Sequence, residues 1–289
     1  VTDTEPPVNA AYTMKDDPSC LVYIANGNSI LADEHAVTGI DVRHGATLSI
    51  QLNQKGSVNE NYDTACISLT NGLMNNGVVK PVDIDSLNTG NIQIKSGSLF
   101  GIGSIISAGE QDGQHGGDIY VQVDTSIVTY GLFSSAGSGG VSRSAGHGGS
   151  ISISAGEHVQ VFNSIDSSGG VSTDHHGGHG GDILLENAVG DLVLAGAVIS
   201  SGGDGFSGGM GGNIQFRILY SGQLIQDGVV DAAGGSGIKS YAGTGGDIET
   251  KLHSGSITWK ADTRTSGGDV YAAGFSPGRG GNIEYNVYT

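Results

Sequence analysis

Gly116-Gly117-Asp118-Ile119-Tyr120-Val121-Gln122-Val123 is the stretch that decides the fold, because its pattern returns through most of the chain. The polar position is held in turn by Asn91, Asp118, Ser150, Asp182, Asn213, Asp247 and Asn282. Subtracting successive numbers gives steps of 27, 32, 32, 31, 34 and 35 residues. A near-constant step marks one structural unit, and its drift marks loops of varying length. After each polar residue the sequence alternates with period two. Ile119, Val121 and Val123 face one way, and Tyr120 and Gln122 the other. The same phasing runs through Ile151 and Ile153, Ile183 and Leu185, Ile214, Phe216 and Ile218, and Ile283, Tyr285 and Val287. Strict alternation is the mark of a half-buried strand.

A second strand-like phrase follows each first one and leads into small residues, as in Ile105-Ile106-Ser107-Ala108-Gly109 and Val198-Ile199-Ser200-Ser201-Gly202. Each unit closes on a Gly-rich return. Two strands in about 32 residues cannot bury their apolar faces alone, but stacking equivalent coils at roughly 4.8 Å pairs every strand with its copies. The sequence therefore predicts an all-β parallel β-helix, a solenoid of about 32-residue coils with Gly-rich edge loops over residues 86–289. Residues 1–85 are less regular and read as an N-terminal cap or irregular coils.

Composition agrees. Gly accounts for 52 of 289 residues, so only a regular, repeating architecture can offset the backbone entropy of such a chain. Only 14% of residues are charged, and 29 acids against 12 bases leave a net charge of −17. With no basic stripe to neutralise phosphates, nucleic acid and anionic lipid are excluded as partners. No apolar run is long enough for a helical membrane span. The opening VTDTEPPVNA reads as a mature N-terminus or an artificial boundary, and two cysteines, Cys20 and Cys66, suggest a disulfide and a secreted, extracellular setting.

The phrase Gly39–Ile50 (GIDVRHGATLSI) and the Gly-rich coils resemble right-handed parallel β-helix surface proteins, namely autotransporter passengers and filamentous-haemagglutinin-like adhesins. The resemblance implies a right-handed coil and a place at the cell surface.

Candidate sites lie along the repeat. Asp118, Asp182 and Asp247 belong to the polar ladder. A short side chain there either accepts backbone N–H groups or contributes to calcium binding. Residues 177–185 match the nonapeptide calcium motif once, although that motif works by repeating every nine residues. His115, His147 and His179 each precede a ladder position by three residues and form a column in register. Together with Asp174 they are candidates for a transition metal such as zinc or nickel. Asp166 and Asp231 are outward carboxylates two coils apart, at the wide limit for a glycosidase pair. The aromatics Trp259, Tyr271, Phe275, Tyr285 and Tyr288 crowd the C-terminal part, either as a sugar-stacking strip or as packing. Nothing resembles a nucleophilic triad.

The functional expectation is an extracellular structural or adhesive surface module that presents acidic Gly-rich loops to a surface glycan, a protein ligand or a second copy, with filament formation as one mode of self-association. The alternatives are a phage tail fibre or spike segment, which predicts a trimer, and a carbohydrate-active enzyme, which predicts an outward carboxylate cluster over a groove.

Overall fold

The computed structural model describes residues 89–131 and 133–288. Before residue 89 it describes the backbone of strands between residues 10 and 81 and only a few side chains. The chain is a parallel β-solenoid of about six turns, with no helix among the described residues. A coil carries three strand segments rather than two, the first and middle of which run together as Ile214–Gln226 in one coil. In another the three are Ile151–Ala155, Val159–Val161 and Ile165–Asp166. In the next they are Ile183–Val189, Leu192–Leu194 and Val198–Ile199. The three sets stack in register as three parallel faces. Ile119 pairs with Ile151, Ile127 with Val159, and Phe133 with Ile165. The stacking continues N-terminally, where Gly72–Asn75 pairs with Leu99–Gly101 and Val78–Pro81 with Ser104–Ile106. Further back, Ala10–Met14 pairs antiparallel with Asp17–Ala25. The side chains of Cys20 and Cys66 lie outside the described residues.

The middle strand exists because inward positions recur after a corner. Leu99, Ile127, Val159, Leu192 and Leu224 form a buried column of their own. Beside it stand Ile92, Ile119, Ile151, Ile183, Ile214 and Ile248, each at most 1% exposed. The core is one apolar column running along the axis, as expected where each coil contacts only its neighbours. Near its far end Trp259 packs edge-on against Phe216 and Tyr285, with ring centroids 5.8 and 5.4 Å away. Two of the C-terminal aromatics, Trp259 and Tyr285, therefore continue the core column. In the last described strand Ile283, Tyr285 and Val287 are 43–46% exposed.

The Gly-rich segments lie along one edge of the coil, and there they form a second layer. Each is a hairpin of two extended limbs that doubles back beside the third strand. Gly146 N–H donates to Ser138 O and Gly149 N–H to Ser135 O, tying limb to limb within one coil. Ala145 N–H donates to His176 O and Gly148 N–H to His179 O, tying coil to coil. The directions repeat every three residues, the period of a polyproline-II-type helix. The strands count in twos and this layer counts in threes.

Glycine is required here for its missing side chain. A Cβ on Gly146 would lie 1.9 Å from Gln114 O, and one on Gly178 would lie 1.9 Å from Gly146 O. One on Gly209 would lie 1.8 Å from Gly178 O. Limbs packed this closely admit no Cβ at the inward position. Buried serines then pin the layer to the core: Ser107, Ser135, Ser167 and Ser200 donate their hydroxyls to carbonyls of Gly90, Gly149, Gly149 and Gly181. The small residues that follow the third strands in the sequence supply these pins, except after Val230–Asp231, where Ala232 stands.

Candidate functional site

In the three-residue repeat of the return limb, one N–H points to the next coil and one across to the other limb. The third, at residues such as His147 and Ser150, points back to the coil before, and side chains satisfy it. Ser150 N–H donates to Asp118 Oδ1 at 2.7 Å, and Asp118 N–H to Asn91 Oδ1 at 2.7 Å. Asn213 N–H donates to Asp182 Oδ1 at 2.8 Å, Asp247 N–H to Asn213 Oδ1 at 2.9 Å, and Asn282 N–H to Asp247 Oδ1 at 2.7 Å. The polar ladder is thus a set of acceptors at Asn91, Asp118, Asp182, Asn213 and Asp247, where a short Asp or Asn side chain reaches the next coil.

The histidines occupy the equivalent place one repeat earlier. His147 N–H donates to His115 Nδ1, His179 N–H to His147 Nδ1, and Met210 N–H to His179 Nδ1, each at 2.7 Å. The rings stack with centroids 4.7 Å apart at both steps and planes within 15° and 7°. An Nδ1 that accepts a backbone N–H leaves the proton of the neutral ring on Nε2, so a ring bonded in this way has no lone pair for a metal. Burial above all, and then the imidazoles of His179 and His115, pushes the His147 pKa down to about 4. Burial lowers that of His179 as well. A third ladder precedes the second strands: Asp191 N–H donates to His158 Nδ1 at 2.9 Å, and Gln223 N–H to Asp191 Oδ1 at 3.1 Å.

Asp174, expected beside the histidines, stands at the hairpin tip, where it accepts from Thr173 Oγ1 at 3.4 Å. Among the described residues no group of three or more His, Cys, Asp or Glu side chains is placed to hold a metal ion. Asp166 and Asp231 keep the expected register around Ile199. Each turns its Oδ1 to a backbone N–H two residues on, that of Ser168 and of Ala233.

A feature that periodicity in the strands does not reveal is the line of hairpin tips. Gly140 bridges Ser172, and Gly205 bridges Gly237, which in turn bridges Val270. Ser172 N–H donates to Asp204 O, which links the two runs. The residues one step beyond the bridges, Val141, Thr173, Phe206, Ile238 and Tyr271, therefore form a file with one side chain from each successive coil. Its apolar members reach solvent to different degrees, Val141 at 80% and Tyr271 at 72%, Ile238 at 37% and Phe206 at 36%. Tyr241 and Phe275 stand beside it in edge-to-face contact, centroids 5.1 Å apart. Asp112 clamps the first tips together by accepting the N–H groups of Val141 and Ser142 and the Ser142 hydroxyl. These bonds, the hydroxyl's first, hold its carboxyl below the usual carboxylate range.

One other place gathers polar side chains. Asn213, Gln215, Asp247, Glu249, Asn282 and Glu284 line a hollow of about 240 Å³ on the outer face of the first strands. Glu249 and Glu284 are register partners there, and Lys251 Nζ lies 2.6 Å from Glu249 Oε1.

Comparison with known proteins finds no matching family, no matching curated protein and no matching solved structure.

Proposed function

We propose that the protein is an extracellular structural or adhesive surface module whose contact surface is the file of hairpin tips. The observation that carries this reading is the exposure of Val141, Phe206, Ile238 and Tyr271 in register along one edge. A set of exposed apolar and aromatic side chains aligned in register along one edge marks an interaction site. Division of labour in the chain supports it as well. The limbs are Gly-rich with small and ladder residues at fixed places, whereas the tips differ from coil to coil and carry Tyr, Phe, Ser and basic residues. That is the chemistry of rigid aromatic anchors among adaptable polar contacts. The partner is a surface glycan or a surface protein.

The test is a triple variant, Phe206→Ser, Tyr241→Ser and Tyr271→Ser, compared with the parent on a glycan array and on intact cell surfaces. The expected result is lost binding with an unchanged melting temperature. Binding that survives the triple substitution overturns the reading.

A carbohydrate-active role has one observation in its favour, the paired Glu249 and Glu284 over the outer hollow. Release of reducing ends from a panel of polysaccharides, abolished by Glu284→Gln, would establish it. A panel left intact by the parent protein would remove it.

A further inference from the structure

We propose that the His115–His147–His179 column is an acid-opened latch, holding the return limbs of the glycine layer together at neutral pH and releasing them on acidification. The argument starts from the acceptor each rung must supply. Each ring accepts the backbone N–H of the next coil on Nδ1 at 2.7 Å. A protonated imidazole has two donors and no acceptor, so protonation removes the bond and leaves an N–H facing an N–H. It also places positive charges in rings stacked 4.7 Å apart. The neighbouring Asp118 and Asp182 rungs respond differently, because a protonated carboxyl still has an oxygen that accepts. Of the two side-chain columns on this limb, only the histidine one is broken by a proton.

The surroundings do not restrain that event. The ionisable groups acting on His147 are His179 and His115, and both disfavour its charge. The outgoing limbs packed against it, 136–140 and 168–172, carry no ionisable side chain. Asp118 and Asp182 lie three residues further along their own limbs, occupied by the Ser150 and Asn213 N–H groups. His176 lies three residues before His179 on the same limb, its Nδ1 engaged by Ser207 Oγ, and Arg143, Asp174 and His175 sit out towards the tips.

The sign follows from linkage. An unfolded or locally opened histidine titrates near 6.5, while the closed His147 resists protonation down to about 4. Above the first value both states are neutral and the latch holds fully. Between the two, the opened state binds protons that the closed state refuses, so opening becomes favoured by up to about tenfold per pH unit. The latch therefore opens before the Asp column or the apolar core is affected. The expected product is a solenoid with its core intact and its hairpin layer loosened around residues 115–210. This holds independently of what the tips bind.

Hydrogen exchange of the whole chain, corrected for intrinsic rates, tests it between about pH 7 and pH 4.5. In the parent protein the amides of His147, His179 and Met210 should lose protection at least tenfold more than those of Ser150 and Asn213. A variant with His115→Asn, His147→Asn and His179→Asn keeps a carbonyl acceptor at every rung, as Asn91 and Asn213 do in the adjacent column, and its protection should be flat over the same range. Uniform protection in the parent, or equal acid opening in the variant, overturns the latch. Should the variant fail to fold, the parent decides alone. Imidazole nitrogen shifts should show the Nε2–H tautomer at all three rings, with His147 titrating well below the ordinary 6.5. An ordinary midpoint for His147 refutes the proposal.

Discussion

At the scale of single residues, the molecule depends on atoms that are missing. Gly146→Ala would drive a Cβ to 1.9 Å from Gln114 O, whereas Gly139→Ala meets nothing nearer than Val171 O at 3.2 Å. The first substitution should cost about 2–4 kcal/mol and the second less than about 1, measured by denaturant unfolding. A similar contrast separates structure from metal binding on the Asp ladder. Asp182→Asn preserves the acceptor for Asn213 N–H and should leave stability within about 0.5 kcal/mol, while Asp182→Ala should cost about 1. Calcium should shift neither protein. The sequence showed which residues form these columns, because their spacing is regular. For the Asp and Asn column it offered the backbone-acceptor role beside calcium binding without deciding between them, because a three-residue count of hydrogen-bond directions leaves no apolar signature. His115, His147 and His179 look equally like ligands and like acceptors until Nδ1 is seen facing a backbone N–H.

Among elements, two periods coexist in each coil, and each has its own tolerance. The alternation at Ile183–Val189 or Ile248–Leu252 was legible because every second side chain is buried. The middle strands, such as Leu192–Leu194, were not, since three residues are too few to establish a period. The limbs were read as loops for a similar reason: their inward positions carry no side chain to be counted. Their rungs keep the same spacing in successive coils, Ser135 with Gly149 and Ser138 with Gly146, then Ser167 with Gly181 and Gly170 with Gly178. A single glycine inserted after Gly148 should therefore displace the Ser150 and Gly149 bonds together and lower the melting temperature sharply. The same insertion after Ser142, at a tip, should be nearly neutral. In the strands, Phe216→Ala removes a fully buried ring and should cost about 3–5 kcal/mol.

For the whole molecule, stability is a sum over neighbouring coils rather than the property of one centre. Ile153 and Leu185 are wholly enclosed, while Ile283 and Val287 in the last described strand are 43% exposed. Exchange of strand amides should accordingly be slowest in Ile151–Ala155 and Ile183–Val189 and fastest in Ile283–Val287. Equal exchange along the axis would mean a cooperative unit longer than the nearest neighbour. The double construction of the coil bears on a different quantity, its response to force. Peptide hydrogen bonds between coils run along the axis both in the three strand faces and in the glycine limbs, as at Ile151 to Asp182 and Gly148 to His179. Tension along the axis loads these bonds simultaneously, so they share it instead of failing one after another. The cross-bonds from limb to limb, as at Gly178 to Gly170, lie transverse to that load and resist shear of the thin layer against the core. The same glycine network that holds the tips in register thus makes the solenoid a braced beam, stiff towards a pull transmitted through its own edge.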